Sequence, residues 1–359
     1  MRSFKYESLP SRVVFGAGTF ATVGDEVSRL GAQRVMVFAG RPERSLADRL
    51  KWQLGPRMVD LFDDVLPHVP LAIAASARAR ARDLQADLLL TVGGGSTTGL
   101  GKAVALESGA PILAIPTTYA GSEMTPIWGL TEAHRKTTGR DPRVLPRVVV
   151  YDPELTLTLP PGLSGASGMN AMAHCVEAAY AADCPPMIRI MAEEGIRALA
   201  VALPAVVDEP HDLAARSEAF YGAYLAGCAF AVAGSGLHHK ICHVLGGAYN
   251  LPHAETHAIV LPHAVAYNAP AMAEAMRRIG DALGADEPAL ALYQLAGRLG
   301  IPSGLREIGM AEADLDAATE LVLKAIPTNP RPLERGPIRR LLDDAEFGRR
   351  PVTHLTPAM

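Results

Sequence analysis

The stretch Thr91–Leu106, TVGGGSTTGLGKAVAL, joins the end of an apolar strand to the start of a helix through three consecutive glycines. Glycine lets the backbone approach an anion closely, and the free N–H groups at a helix N-terminus favour negative charge. The same glycines would also suit a tight turn that binds nothing. The stretch is neither a GxGxxG fingerprint nor a Walker loop, so the chemistry of those motifs does not transfer to it. The candidate phosphate-binding residues are Gly93, Gly94, Gly95 and Ser96.

Apolar runs on both sides of this loop predict a parallel sheet. They are short and rich in Val, Ile and Leu, as expected of strands that are buried on both faces. Helical stretches such as Ala72–Gln85 lie between them, and alternating strands and helices favour an α/β domain. The predicted strands are Arg34–Ala39, Met58–Phe62, Ala86–Val92, Pro111–Pro116 and Arg147–Tyr151.

The composition changes after Asp152. Leu155–Gly168, LTLTLPPGLSGASG, contains two prolines and three glycines and is predicted to form a loop at a domain boundary. The rest of the chain is rich in alanine and shows no convincing strand alternation. We therefore expect an α/β domain over residues 1–160 and an all-α domain over residues 161–359. The clearest predicted helices are Met187–Val207, Leu213–Gly234, Ala271–Leu283 and Ala289–Leu299.

The composition argues against several classes of protein. The 359 residues are 49% hydrophobic and 20% charged, which is enough apolar material for buried cores and excludes a disordered chain. The formal net charge of −4 argues against nucleic acid as a partner. An aromatic content of 5% also leaves little surface on which bases could stack.

Two features bear on the cellular compartment. None of the four cysteines is part of a CxxC pair, and the N-terminal segment MRSFKYESLPSR is charged and lacks an apolar signal region. We therefore expect a reduced, cytoplasmic protein. The uncharged run Ala219–Leu237 is long enough to span a bilayer. Because it is rich in Ala and Gly, which gain little from lipid, we expect a buried core helix and no membrane partner.

A second polar turn follows the next predicted strand. Thr117, Thr118 and Ser122 lie in the sequence TTYAGSE, directly after the apolar run that ends at Pro116. In an open parallel sheet, ligands bind beyond the carboxyl ends of the strands. A solvated loop whose threonines cap backbone groups would have the same sequence pattern. Two such turns after neighbouring strands favour a shared site for a dinucleotide.

Histidines are concentrated in one part of the chain. Eleven are present, and six of them lie in the range 238–263. A lone histidine here would more often be a core or capping residue. Pairs four residues apart lie on one helix face, and such pairs followed by a further histidine are typical of metal ligation. The candidate residues of this functional site are Asn170, His174, His239, His243, His253 and His257.

These motifs together resemble the pattern of the iron-containing alcohol dehydrogenase family over nearly the whole chain. The matching segments are the GGGS loop, Pro116–Glu123, Asp152–Pro160 and the histidine region. The resemblance implies a Rossmann-like NAD(P)-binding domain, a helical domain of the kind shared with dehydroquinate synthase, and an active site in the cleft. It also adds Leu130 and Lys136 to the cofactor contacts and implies a homodimer.

Two positions depart from the family pattern. The family's metal site consists of an Asp and three His; the Asp falls on Asn170, and the histidines fall on His174, His239 and His253. Because an amide is a poorer ligand than a carboxylate for a hard dication, we expect vestigial positions and no required metal. The family's acidic residue near the nicotinamide falls on Gly99. At both positions the chain resembles one branch of the family, whose members reduce 2-maleylacetate to 3-oxoadipate in aromatic-compound degradation.

That implied reaction explains why a carboxylate ligand is dispensable. The substrate has a C=C bond conjugated to its ketone, so hydride can add to carbon while the charge spreads into an enolate. Hydrogen-bond donors or a protonated histidine can stabilise the enolate, and a general acid then protonates carbon. His243 and His253 are the leading catalytic candidates. The substrate is a dicarboxylate, so cations should line its pocket, and the candidates are Lys240, His243 and His257.

The resemblance leaves open whether NADH or NADPH is the cofactor. The strand Val35–Ala39 has no Asp at its tip that could hold a ribose 2′-hydroxyl. Arg41 and Arg44 lie just beyond and could accept a 2′-phosphate, although they could also be ordinary surface charges. The sequence therefore predicts weak discrimination between the two cofactors.

Three other functions stay open at this point. One is a metal-dependent alcohol or hydroxyacid dehydrogenase that keeps its ion on three histidines and Asn170. Another is a lyase of the same architecture, which would use NAD without net turnover. The third is a non-enzymatic binding protein with a decayed site. Bound Zn or Fe would favour the first, and stoichiometric consumption of NAD(P)H would exclude the second.

Overall fold

The structure is a computed structural model that describes residues 4, 6, 8, 9, 11–132, 135–326 and 329–353, without the side chains of Arg135 and Lys136. Contacts divide the chain into two compact units, one of Tyr6–Leu159 and one of Pro160–Met359 with Met1–Lys5. The first unit contains all the strands of the described residues, and the second is helical.

A six-stranded parallel sheet forms the centre of the first unit, in the order β1–β8–β5–β4–β2–β3. An antiparallel hairpin, β6–β7, stands apart from it. The strands are β1 (Arg12–Phe15), β2 (Val35–Ala39), β3 (Met58–Phe62), β4 (Leu88–Gly93), β5 (Ile112–Pro116), β6 (Ile127–Glu132), β7 (Arg135–Arg140) and β8 (Val148–Tyr151).

Four helices accompany these strands, namely α1 (Val23–Arg29), α2 (Arg44–Leu54), α3 (Leu71–Asp83) and α4 (Gly95–Ser108). In the sheet Leu90 is paired with Val37 on one side and with Leu113 on the other, and all three are fully buried. Such continuous apolar strands belong in a sheet that is covered on both faces. The five predicted strands are confirmed to within two residues at each end.

Three strands were missed by the sequence analysis. β1 is only four residues long and lies at an edge of the sheet, where it pairs with β8 alone. β7, RKTTGR, is polar, and the residues of β6, IWGLTE, are half-buried or exposed. Short or polar strands carry little of the hydrophobic signal from which strands are predicted.

The second unit is all-helical, as predicted. Its helices are α5 (Pro161–Tyr180), α6 (Pro186–Asp208), α7 (Leu213–Ala233), α8 (Leu237–Tyr249), α9 (His253–Asn268), α10 (Ala273–Leu283), α11 (Pro288–Arg298), α12 (Leu315–Ala325) and α13 (Arg335–Glu346). α5 is the central helix: every one of its residues from Ser164 to Tyr180 is buried.

The predicted loop over Leu155–Gly168 is wrong in its second half, because α5 begins at Pro161. Proline suits the first turn of a helix, where its missing N–H would have no intrahelical partner. The glycines that suggested a loop instead allow close packing between helices. A Cβ on Gly165 would lie 3.1 Å from Leu299 Cβ, and one on Gly168 would collide with Leu203.

The uncharged run Ala219–Leu237 is not one helix. α7 ends at Ala233, Gly234 has a φ of 73°, and α8 begins at Leu237. Among the described residues, no single helix is long and apolar enough to cross a membrane; α7 and α8 meet that test only as a pair, bent by 96°. Every turn of α7 from Ala219 to Ala231 contributes buried residues to the core, as predicted for this segment.

Candidate active site

The two predicted ligand turns of the first unit are in direct contact. β4 ends at Gly93, whose φ of 147° favours glycine, and α4 begins two residues later. The Thr117 N–H, just past β5, donates to the Gly93 carbonyl at 3.2 Å, and a Cβ on Gly94 would lie 3.1 Å from Thr118 Cγ2. Gly94, Gly95 and Ser96 are half-buried and remain accessible. One site can therefore use both turns.

The turns lie at the point where the strand order of the sheet reverses. β3 follows β2 outward on one side, and the chain then returns to place β4 on the other side of β2. Open α/β sheets bind their ligands at this position. Glu43, just past β2, lies next to these turns, because its Oε1 accepts a hydrogen bond from Thr117 Oγ1 at 3.2 Å. Burial raises the pKa of Glu43.

Glu43 is a polar residue of this site that sequence reasoning missed. The sequence analysis considered an acidic residue only at the tip of β2. Glu43 lies four residues beyond Ala39, in a short helical turn. Arg44 is 3.1 Å from Asp63 and 3.7 Å from Asp48, so part of its charge is already compensated. Arg41 is exposed.

A fully buried lysine holds the second turn in place. Lys102 of α4 donates from Nζ to the carbonyls of Ser122, Thr125 and Ile127 at 2.6, 2.7 and 2.9 Å. Burial lowers the pKa of Lys102 to about 7, against the opposing effect of the Glu123 carboxylate. The Ser122 carbonyl is thus engaged within the protein.

The remaining predicted cofactor residues lie in the hairpin and in α4. Leu130 is half-buried in β6, and the side chain of Lys136 lies outside the described residues. Gly99, where the family pattern has an acid, is close to Val69: a Cβ on Gly99 would lie 2.9 Å from Val69 Cγ2. The apolar Val69 thus occupies space that a larger residue at position 99 would need.

In the second unit, three helices bring the predicted histidines together. α5 carries Asn170 and His174, α8 carries His239 and His243, and α9 carries His253 and His257. The ring centroids are 4.8 Å apart for His174 and His239, 4.7 Å for His239 and His257, and 4.3 Å for His253 and His257. We call these six residues the histidine cluster.

Phe230, near the end of α7, also belongs to this site and was not predicted. Its ring stacks on that of His174 at 4.3 Å and on that of His239 at 5.2 Å. The three planes lie within 17° of one another. Nothing in the sequence marks Phe230, because only the fold brings α7 against α5 and α8.

A buried carboxylate anchors the cluster. Glu177 Oε2 lies 2.6 Å from His239 Nδ1 and accepts from the Gly236 N–H at 2.9 Å. Its Oε1 accepts from the His238 N–H at 2.8 Å and from the Tyr180 hydroxyl at 3.1 Å. Carboxylate oxygens accept hydrogen bonds, so the proton of His239 is placed on Nδ1 and Nε2 carries the lone pair.

Burial decides which residues of the cluster can be cationic. It lowers the pKa of His174 and of His257 well below the usual range, so both are neutral near pH 7. His257 was expected to supply a positive charge to the substrate pocket; the structure makes it a neutral hydrogen-bonding group instead. His243 and His253 are exposed, and Lys240 is half-buried.

Several buried polar atoms of the cluster have no hydrogen-bond partner within the described residues. They are Asn170 Oδ1, His174 Nδ1, His239 Nε2 and both ring nitrogens of His257. Such atoms are costly unless a ligand satisfies them. A second group, His238, His239 and His257, has ring nitrogens within 4.8 Å of one another, but His238 Nε2 already lies 2.8 Å from the His257 carbonyl.

This donor set fits a divalent ion in part. Imidazole nitrogens suit Zn²⁺ or Fe²⁺, and His174 and His239 would hold the ion with Asn170. The amide of Asn170 contributes a dipole where a carboxylate would contribute a full charge. The cluster therefore offers ligands of the right kind without the negative charge that compensates a dication.

Comparisons with known proteins match both units of the chain to one family. The chain matches a family model described as iron-containing alcohol dehydrogenase over residues 10–153, and one described as the C-terminal part of that family over residues 164–346. A maleylacetate reductase from Burkholderia cepacia is 50% identical over 351 residues, which cover 98% of this chain and 100% of that protein.

Solved structures extend the similarity to the whole fold. A maleylacetate reductase from Agrobacterium tumefaciens is 46% identical with a TM-score of 0.94, over 98% of this chain and 100% of the other. An iron-containing alcohol dehydrogenase from Corynebacterium glutamicum is 47% identical with a TM-score of 0.93, over 96% and 97%. The resemblance and the oxidoreductase class that the sequence predicted are thereby confirmed. This chain belongs to the iron-containing alcohol dehydrogenase family.

Proposed function

We propose that this protein reduces 2-maleylacetate to 3-oxoadipate with NADH or NADPH. The observation that carries the proposal is the near-full-length similarity to reductases named for that substrate. The phosphate turns and the histidine cluster support it as the two parts that such a reaction needs. One would hold a dinucleotide, and the other would manage a developing negative charge.

The reaction adds one hydride and one proton across a C=C bond. When bound, a dihydronicotinamide would supply the hydride to the carbon β to the ketone. The electron pair of the double bond moves toward the ketone oxygen as an enolate, and a proton then forms the new C–H bond at the α-carbon. The residues of the chain must therefore stabilise an oxygen anion and deliver one proton.

The burial or exposure of each histidine in the cluster determines which of these two tasks it can perform. His257 is neutral and its ring nitrogens lack partners among the described residues, so it can donate a hydrogen bond to the enolate oxygen. His243 and His253 are exposed and can exchange protons with water, which suits the general acid. Lys240 would pair with a substrate carboxylate.

We propose that turnover requires no metal. An ion held by the cluster would polarise a substrate oxygen, which an ordinary ketone needs. Conjugation already lets the maleylacetate enolate spread its charge, and the Asn170 amide weakens the site for a dication. The family's metal-dependent alcohol dehydrogenases remain the alternative, and the relatives named maleylacetate reductase do not favour it.

Cofactor choice depends on residues at the end of β2. Arg41 is an exposed candidate for a 2′-phosphate, and Glu43 is an acid that could hold a ribose hydroxyl. Because Arg44 is partly neutralised by Asp63, neither cofactor gains a decisive contact. We therefore propose that the protein discriminates only weakly between NADH and NADPH, with NADH favoured by less than about 100-fold, or about 2.7 kcal/mol.

We also propose that the protein acts as a cytoplasmic homodimer. The dimer rests on the family resemblance. The compartment rests on the four cysteines, among which no disulfide forms, as in a reducing environment. Light scattering of the purified protein tests the first proposal.

The direct test is oxidation of NADH, followed by absorbance, with freshly prepared maleylacetate as substrate. We expect one cofactor oxidised per molecule of 3-oxoadipate formed, with NADPH as a working substitute. Ethanol and propanediol with NAD serve as controls and should turn over poorly at neutral pH, because nothing strongly polarises their C–O bond.

Other outcomes would redirect the assignment. Rapid oxidation of simple alcohols would support the metal-dependent alternative. Conversion of maleylacetate without net loss of NADH would support a lyase-type use of the cofactor. Binding of NADH without any turnover would support a binding protein.

A further inference from the structure

A cavity with largely apolar walls lies in the helical unit, apart from the histidine cluster. It is small, about 60 Å³, opens to solvent, and is formed by the C-terminal half of α9, α13 and the segments around Arg331 and Pro351. His257 of the cluster and His263 of the cavity are six residues apart on α9, which is about 9 Å along a helix axis. The proposed reaction makes no use of this cavity.

Two arginines give the cavity a positive lining. Arg331 stacks its guanidinium on the Tyr267 ring at 4.5 Å and donates from Nη1 to the Tyr267 carbonyl at 3.0 Å. Arg340 is exposed. In the part of the chain that the structure describes, neither arginine forms an ion pair. The lining carboxylate, Asp344, lies 3.3 Å from Arg349 Nη1, so part of its charge is compensated.

One residue of the cavity lining, His263, also carries a buried polar atom without a partner among the described residues. His263 is 4% exposed, and its Nε2 has no hydrogen-bond partner among residues 11–132, 135–326 and 329–353. An unpaired buried polar atom costs roughly 1–3 kcal/mol, which a ligand atom at hydrogen-bond distance would recover. The remaining walls are apolar and include Ala266, Leu341 and Val352.

Two guanidinium groups without an ion pair among the described residues, an unsatisfied imidazole and apolar walls define the chemistry of the ligand. Guanidinium binds planar carboxylates in bidentate fashion, and the apolar walls suit a short hydrocarbon part. We propose that this cavity binds a small organic monocarboxylate, with its charged end between Arg331 and Arg340 and its hydrocarbon part against Leu341. A fully polar anion such as phosphate would leave the apolar walls without a partner.

Butyrate is a suitable probe, and butyramide and inorganic phosphate are its comparison compounds. Binding is followed by titration calorimetry and by the side-chain resonances of ¹⁵N-histidine-labelled protein, with His263 assigned from a His263→Gln variant. We expect butyrate to shift the His263 signal and to bind at least tenfold more tightly than butyramide or phosphate.

Arg340→Gln should weaken butyrate binding about tenfold. The matched control is Arg350→Gln, which changes another exposed arginine that does not line the cavity and should bind butyrate as the parent does. Because Arg340 is exposed and unpaired within the described residues, its variant should fold normally and keep the parental reductase activity.

Three results would overturn the proposal. One is equal affinity for butyrate in the parent and Arg340→Gln. Another is binding of phosphate or butyramide as tight as that of butyrate. The third is a butyrate response confined to His243 and His253, which would place the bound carboxylate at the histidine cluster.

Discussion

Glu177 is the residue on which the chemistry of the histidine cluster depends most. Its two oxygens accept hydrogen bonds from Gly236, His238 and Tyr180, and one of them lies 2.6 Å from His239 Nδ1. This arrangement fixes both the start of α8 and the tautomer of His239. Replacing a residue that orients a site residue through hydrogen bonds typically lowers activity 10–100-fold.

We predict that Glu177→Gln lowers kcat for maleylacetate about 10–100-fold with a smaller effect on KM. The amide NH₂ would face groups that themselves donate, and His239 would lose its fixed tautomer. Steady-state kinetics over a range of pH measures the effect, and a displaced pH profile distinguishes positioning from a general loss of folded protein. Glu218→Gln, at an exposed position of α7, is the control. Parental kcat in Glu177→Gln would contradict the role.

Asn170 decides the relation of the cluster to metal. We predict that the parent enzyme keeps its activity after prolonged EDTA treatment, whereas Asn170→Asp binds Zn²⁺ or Fe²⁺ more tightly and loses reductase activity when metal is added. The added carboxylate supplies the missing negative charge, and the ion then occupies the space of the substrate oxygens. Elemental analysis and activity with and without metal measure both effects.

Either of two outcomes would reverse that interpretation. If the parent protein purifies with one tightly held metal per chain, or if chelation abolishes turnover and added metal restores it, the enzyme is a metal-dependent dehydrogenase. Asn170→Ala is a useful control, because it removes the amide oxygen without adding charge.

At the scale of elements, the turn between β4 and α4 combines a structural and a ligand-binding task. Gly93 needs its positive φ, and Gly94 packs against Thr118, so substitutions at either residue would strain the fold. Gly95 is different. A Cβ there would lie 3.4 Å from Ala120 Cβ, which is close to ordinary contact, and its φ is not positive.

Gly95→Asp therefore separates ligand binding from folding. An acid in the first turn of a helix is compatible with the helix dipole, so we expect a Tm within a few degrees of the parent. The same charge would repel a phosphate at that helix terminus, and NADH affinity should fall at least tenfold, as measured by fluorescence titration. Gly95→Asn, of similar size and without charge, should bind more tightly than Gly95→Asp. Unchanged NADH affinity in Gly95→Asp would place the cofactor elsewhere.

At the scale of the whole molecule, buried histidines should make stability depend on pH. Burial lowers the pKa of His238 and of His263 to about 4 in the folded protein, against about 6.5 in an unfolded chain. Between these values the unfolded chain binds more protons than the folded one. The stability contributed by these groups is therefore complete above about pH 6.5 and is lost as the pH falls toward 4.

We predict that the free energy of unfolding falls by about 1.4 kcal/mol per pH unit for each such histidine across this window. Urea unfolding followed by circular dichroism at pH 7, 6 and 5 measures the slope. His263→Gln should reduce the slope, because it removes one of the groups. Stability that is constant or greater at pH 5 would contradict the assignment.

Much of the fold could be predicted because its determinants are local. Five apolar strands and the main helices are specified by runs of side chains whose burial does not depend on a particular neighbour. β1 escaped prediction because it is short and pairs with β8, far along the chain, and the hairpin β6–β7 escaped because β7 has no apolar side chains. The first turns of α5 were predicted as a loop, because the glycines that allow close helix packing there are also typical of loops.

The sequence by itself determined the family, the two-part architecture and the residue types of the candidate site, because these are encoded in motifs of fixed spacing. Only the tertiary structure decided the environment of each group. It buried His257 and made it neutral, stacked Phe230 on His174, and placed the Glu177 carboxylate against His239. Charge state and tautomer depend on desolvation and on partners from other helices, and neither can be read from positions along a chain.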